Sequence, residues 1–220
     1  VGCLKKGRIV QGNRTAGPSV KMAATETAFV MAEFLETTTA FERIEAGLSD
    51  ITQTCMRLHD EMKADLSFSK SDGFEFAAIE RKDDGSVWAS LCGSLFILSA
   101  TTRQPVILPH LATNPVEKSR IEHIDSKALT YPHHENLIDT HLAATRVLGM
   151  KWFDDRPGLL LEEPESVCCG SGTYIIANRT FIYTFSNFED CIDYCLQKER
   201  EVTQKKNSIR GTRAYAVIEL

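Results

Sequence analysis

Three groups of side chains in this sequence have types and spacings that chemistry uses. His133, His134 and His141 lie in the run Tyr131-Pro132-His133-His134-Glu135, with His141 seven residues beyond His134. On a helix that spacing puts His134 and His141 on one face, with Glu135 adjacent. Zinc sites favour tighter pairs, about three or four residues apart, with a third ligand. The cluster therefore reads as an exposed polar helix end, and no metal is expected. Cys168 and Cys169 precede Gly170-Ser171-Gly172, a thiol pair in a glycine-bearing loop. A nucleophilic thiolate needs a neighbouring base or a helix start, whereas Tyr174 opens a strand-like run. The same run lacks the lysine and spacing of a phosphate loop. Cys191 and Cys195 stand one helical turn apart on an amphipathic face and read as core residues.

The bulk of the chain limits what such groups could serve. With 220 residues, 43% hydrophobic and 25% charged, the sequence has ample material for a core. A net charge of -5 gives no electrostatic case for nucleic acid, and no lysine-arginine stripe forms. The longest apolar run, Leu91 to Leu98, is interrupted by Gly93 and Ser94, so no membrane span is expected. Seven cysteines, an odd number without scaffold-like spacing, fit an intracellular, reduced chain. No cofactor is expected.

The elements that would position these residues can be read in order. Arg8-Ile9-Val10 is a short strand candidate, and Pro18-Ser19 reads as a helix start. From Val20 to Ala46 the alanine- and methionine-rich pattern predicts a mostly enclosed helix carrying Phe34, Phe41 and Ile44, stopped by Gly47. Asp50 to Glu61 is open between a short helix and an irregular strand. Met62, Ala64, Leu66 and Phe68 alternate with polar residues, which predicts a strand. Turns at Ser71-Asp72-Gly73 and Asp83-Asp84-Gly85 bracket a strand from Phe74 to Arg81. A long strand from Ser86 to Ser99 follows, apolar on both faces and hence interior, with Gly93 marking a kink or close approach. Val106 to Leu108 closes a run of four antiparallel strands. Leu111 to Thr130 is polar with little periodicity, Asn136 to Gly149 predicts a helix, and Asp154 to Ser171 reads as loop. Beyond it come a β-rich stretch from Tyr174 to Phe185, a helix opened by the capping box Ser186-Asn187-Phe188-Glu189, and a closing strand from Ala214 to Leu220.

The buried helix followed by antiparallel strands, with Phe74-Glu75-Phe76, Asp83-Asp84-Gly85-Ser86-Val87-Trp88 and Arg103-Gln104-Pro105-Val106, resembles hotdog acyl thioesterases over roughly Ala24 to Pro109. That resemblance implies an α+β, hotdog-like fold, a long helix wrapped by an antiparallel sheet, with an additional C-terminal α/β segment. It divides the chain into a hotdog-like domain over 1–109 and a polar insert or linker with a short helix over 110–172. A strand-helix-strand segment over 173–220 would complete the same sheet or form a partial second hotdog. Family members activate water or attack with a carboxylate near a glycine-bearing helix start. Here Thr25-Glu26-Thr27-Ala28 stands at that place, and Glu33 and Glu36 lie further along, so Glu26, Glu33 and Glu36 are the implied catalytic candidates. No histidine or glycine pair accompanies them. The resemblance thus implies a thioesterase-like, non-catalytic accessory subunit of a larger, mitochondrial complex, or alternatively an acyl-CoA thioesterase. Other protein subunits or a homo-oligomer would be its partners, acyl-CoA its ligand, and mitochondrion or cytoplasm its place.

Overall fold

The computed structural model describes residues 4–5, 8–9, 20–24, 28–34, 50–129, 137–177 and 215–219. Their strands are β1 (Leu4–Lys5), β2 (Arg8–Ile9), β3 (Val20–Ala24), β4 (Ala28–Phe34), β5 (Phe74–Arg81), β6 (Val87–Cys92), β7 (Phe96–Ser99), β8 (Pro105–Ile107), β9 (Glu165–Cys169), β10 (Thr173–Ala177) and β11 (Tyr215–Glu219). The helices among these residues are α1 (Ile51–Ala64) and α2 (Pro115–Ile124). A five-stranded antiparallel sheet runs β3-β4-β5-β6-β9, and a four-stranded one runs β11-β10-β7-β8. No helix among the described residues is long and apolar enough to cross a membrane.

The two sheets pack face to face. Ala77 and Ile79 of β5 and Ala89 and Leu91 of β6 meet Ile97 of β7 and Ile176 of β10 in one buried cluster. α1 covers the other face of the five-stranded sheet. Ile51, Cys55, Leu58 and Met62 recur at spacings of four, three and four, all buried against Ala28, Val30, Ala32 and Ala78. Such spacing makes one apolar stripe on a helix, and the small alanines beneath it let the helix lie close to the strands. A third cluster, built from α2 and the stretch 138–160, caps one end of the molecule around Ile121, Ile138, Val147 and Phe153.

This arrangement corrects the hotdog-like expectation of a long helix wrapped by a sheet. Val20–Ala24 and Ala28–Phe34 are paired strands, not the front of a helix; residues 35–46 lie outside the described ones. Alanine favours helix in isolation, but Ala28, Val30 and Ala32 are buried at period two. Ladder pairing and burial decide the conformation. The alternation from Met62 is coincidental: Met62 is the last buried residue of α1, and Leu66 is 96% exposed in the turn that follows. The predicted long strand Ser86 to Ser99 is two strands, each interior, in two different sheets. Residues 137–149 form turns and isolated bridges rather than a helix; Asp139 and Thr140 adopt positive φ of 48° and 67° there. In the supposedly aperiodic stretch after Leu111, α2 begins with Asn114 as its cap and proline in its first turn. The loop expected at Asp154 to Ser171 contains β9. The helix expected at Ser186 lies outside the described residues.

α1 is started by Asp50, whose side chain accepts the Gln53 amide at 3.0 Å. Replacing Asp50 by alanine is expected to lower stability by about 1 kcal/mol. Chemical denaturation checks this, and Asp50→Ser should recover most of the loss.

Candidate functional site

One group of buried polar side chains gathers where the chain leaves one sheet for the other. β6 ends at Cys92 and β7 begins at Phe96, so Gly93-Ser94-Leu95 is the crossing. Gly93 has a φ of +108°, which glycine adopts without steric penalty. Glu75 on β5 lies directly against it. Its carboxylate accepts the Ser94 backbone N–H at 2.6 Å and the Ser94 hydroxyl, and Glu75 and Ser94 are both fully buried.

His110 adds a second tie. Its backbone N–H donates to Gly93 O at 2.8 Å, and its carbonyl accepts from Thr145 N at 2.8 Å. Its ring Nε2 lies 2.8 Å from Glu165 Oε2 at the start of β9. Burial holds the His110 pKa below its ordinary value, Glu165 working against that shift and Arg146 with it. A neutral ring with its proton on Nε2 donates to Glu165 and leaves Nδ1 a lone pair. Nδ1 is buried and has no hydrogen-bond partner among the described residues.

A third element is a charged triad. Glu117 of α2, 3% exposed at its side chain, takes Arg120 on one carboxylate oxygen and Arg146 on the other, each at 3.0 Å. Burial raises the Glu117 pKa, but the nearby Thr145 hydroxyl and the hydrogen bonds from Arg146 and Arg120 outweigh it and hold the group below the usual range. Its stabilisation is therefore complete above the unfolded carboxylate pKa and is lost only as pH falls through the depressed folded value. Arg120 also donates to Leu159 O at 3.2 Å, and Arg146 to Glu163 O at 3.3 Å. The triad thus anchors the long connection that leads into β9. On the other face of the five-stranded sheet, toward α1, Thr52 of α1, Ser90 of β6 and Ser166 of β9 follow each other at 3.2 and 2.9 Å.

Each inner carboxylate already has an internal donor: Glu75 has Ser94, Glu117 has two guanidinium groups, and Glu165 has His110. A hard cation asks for several converging oxygen ligands. Among the described residues no group of three or more His, Cys, Asp or Glu side chains could hold a metal ion. The donors described do not fit a metal centre. Among the described residues no hydroxyl or thiol is bonded to His110, so none of them forms a nucleophile–base pair with it.

The residues singled out in the sequence fall elsewhere. Glu26 and Glu36 lie outside the described residues, as do His133, His134, Cys191 and Cys195. Glu33 stands in β4 with its backbone opposite Glu75. His141 is on an exposed hairpin tip, its ring 5.1 Å from that of Trp152. Cys168 is exposed and Cys169 half-buried on β9, where burial pushes the Cys169 thiol up. Glu75, His110, Glu117, Arg146 and Glu165 were not anticipated. The one signal near them was Gly93, whose place in an apolar run marked a close approach.

No family model and no curated protein sequence matches the chain. Solved structures do. A sex-determining protein of C. elegans matches at a TM-score of 0.55 and 15% identity, over 83% of this chain and 52% of that one. The chain therefore spans about half the length of that protein. A PPM Ser-Thr phosphatase from Mycobacterium smegmatis matches at a TM-score of 0.50 and 15% identity, over 96% of this chain and 95% of that one. A serine/threonine phosphatase of S. agalactiae matches at 0.51 and 12% identity, over 82% and 81%. These likenesses overturn the hotdog resemblance and, with it, both functional readings it carried, the acyl-CoA thioesterase and the thioesterase-like accessory subunit. At such identities they establish architecture: the chain has the two-sheet fold of PPM-type Ser/Thr phosphatases.

Proposed function

We propose that this chain is a Ser/Thr-phosphatase-like protein that recognises proteins bearing phosphoserine or phosphothreonine and does not hydrolyse them at an enzyme's rate. The fold likeness to PPM-type phosphatases supports the substrate class. The observation that carries the rest is the engagement of Glu75, Glu117 and Glu165 by Ser94, the two arginines and His110. Phosphatases that use two metal ions hold them about 3.5–4 Å apart to clamp the attacking and leaving oxygens. Carboxylates fixed by internal donors are poor candidates for that task, because each would have to give up a buried bond first.

The test is turnover of phosphoserine and phosphothreonine peptides with Mg²⁺ or Mn²⁺ present, beside binding of the same peptides with and without phosphate. Turnover below about 10⁻² s⁻¹ is expected, some hundredfold under the lower end of ordinary enzymes, together with tighter binding of the phosphorylated peptide. Turnover on the order of 1 s⁻¹ would make the protein a hydrolase. Equal binding of both peptides would remove the phosphoprotein reading.

A further inference from the structure

We propose that His110 is an acid-sensitive latch on β9: its buried ring holds Glu165 through Nε2–H, and a proton arriving on Nδ1 releases the strand.

Among the described residues β9 is the outer strand of the five-stranded sheet and pairs with β6 alone. One ladder therefore holds it, supplemented by side chains. Among the described residues those include the Ser90–Ser166 contact at 2.9 Å, the His110–Glu165 bond at 2.8 Å and the packing of Val167 and Cys169 against the core between the sheets. The first joins two hydroxyls and does not titrate in the neutral range. The second does, through a histidine 1% exposed.

The two ring nitrogens are in opposite situations. Nε2 faces a carboxylate that is 46% exposed, so a proton there is well placed. Nδ1 has no acceptor among the described residues. A neutral ring tolerates this, because an unpaired lone pair is a modest penalty. A protonated ring puts an N–H into the same dry space, and a buried donor without acceptor is expensive. The charged groups facing the ring come from three elements: Glu165 on β9, Arg146 on the stretch after the 138–142 hairpin, and Glu117 on α2. Glu165 favours the imidazolium and Arg146 opposes it. Glu117 is already bound to Arg146 and Arg120. Burial has the largest influence and favours the neutral ring.

The direction with pH follows. A histidine whose folded pKa lies below its unfolded value binds more protons when released, so closure is favoured at high pH and weakens as pH falls. With an unfolded value near 6.5, release is favoured at pH 5.5 over pH 7.5 by at most about tenfold, the limit for a ring that stays neutral while β9 is closed. Opening of β9 would uncover the outer edge of β6, an unpaired strand edge able to accept another strand. Because the latch concerns β9 and not phosphoester recognition, it stands or falls independently of the function proposed above.

The experiment is amide hydrogen exchange of the full chain at pH 7.5 and pH 5.5, corrected for intrinsic rates, with β5 as the internal reference. In the wild type the β9 amides are expected to lose protection severalfold, up to about tenfold, at pH 5.5 while β5 keeps its own. In His110→Gln, whose amide can still donate to Glu165 but does not titrate, the β9 loss should fall below twofold. Unchanged β9 protection in the wild type overturns the latch, as does an equal loss in His110→Gln. A uniform loss over β5 and β9 also overturns it, since that is global acid unfolding. Ring ¹⁵N shifts of wild-type His110 answer the same question without a variant. A neutral Nε2–H ring is expected wherever β9 remains protected, and an imidazolium in a protected β9 overturns the proposal.

Discussion

Replacing Glu117 by alanine is expected to lower stability by about 3–5 kcal/mol, the usual consequence of leaving one side of a buried ion pair uncompensated. The carboxylate sits between Arg120 and Arg146 with almost no exposure of its own, while the arginine side chains are 21% and 18% exposed. Removing Glu117 leaves two guanidinium groups close together, partly out of water, with only backbone carbonyls to face. For a chain of this size the melting temperature should fall by on the order of 10 °C. Glu122 on the same helix is the control. It is 48% exposed and pairs loosely with Lys118 at 3.9 Å, so Glu122→Ala should change stability by less than about 0.5 kcal/mol. Replacing all three triad members by methionine tests whether the charges or the volume matter. Apolar replacement of a whole buried ion cluster is often neutral or better, but here the arginines also hold Leu159 O and Glu163 O. The triple variant should therefore recover part of the Glu117→Ala loss and not all of it. Equal losses for Glu117→Ala and Glu122→Ala would mean that the triad does not hold the connection into β9.

How far the sequence revealed this molecule depends on whether a local pattern had one physical cause or two. Phe74 to Arg81 and its turn at Asp83-Asp84-Gly85 were legible because alternation, an acidic-glycine turn and burial all agreed. The interior place of the run from Ser86 to Ser99 was legible too, and its Val87, Ala89, Leu91, Leu95 and Ile97 meet in one cluster. What failed was the assignment of small residues. The alanines of Ala28–Phe34 fit a helix by propensity and a strand by closeness to α1. Only the second cause operates, and it depends on a partner far along the chain. Ile51, Cys55, Leu58 and Met62 did show helical spacing, but attaching Met62 to a false alternation with Leu66 and Phe68 hid it. The hotdog resemblance grew from that error, since it required a helix before the strands where there are strands before the helix.

The site was less legible still, because its members are far apart in sequence and ordinary in their neighbourhoods. His110 follows Pro109 with nothing to mark it, and its partner Glu165 lies 55 residues later. Glu117 looked like one charge in a polar stretch, and it became a buried hub only through Arg146, 29 residues away. A carboxylate on a strand that reads as apolar, like Glu75, is the one kind of residue that could have been flagged. A buried charge needs a partner, and the only nearby irregularity that could provide one was Gly93-Ser94.

That dependence yields the sharpest expectation about the fold. Gly93→Ala should lower stability by more than about 4 kcal/mol, a size reserved for a few specific mechanisms, and two of them act here. The residue has a φ of +108°, a conformation that strains any side chain by about 1–3 kcal/mol. In addition, the new methyl carbon would stand 2.5 Å from Glu75 Cβ and 2.6 Å from its Cδ, so Glu75 must move, and with it the bonds from the Ser94 N–H and hydroxyl. Gly85 separates the two causes. It has a φ of +82° but nothing within 4 Å of an added carbon, so Gly85→Ala should show strain alone, about 1–2 kcal/mol. The difference between the two variants then measures the collision with Glu75. Combining Gly93→Ala with Glu75→Ala clears the space at the expense of the carboxylate. Because the residues touch, the double variant should be less damaged than the sum of the single ones by about 1–3 kcal/mol. Urea unfolding of the wild type, Gly93→Ala, Gly85→Ala, Glu75→Ala and the double variant supplies all the numbers. Simple additivity, or a Gly93→Ala loss no larger than that of Gly85→Ala, would show that Glu75 does not fill the corner between the sheets.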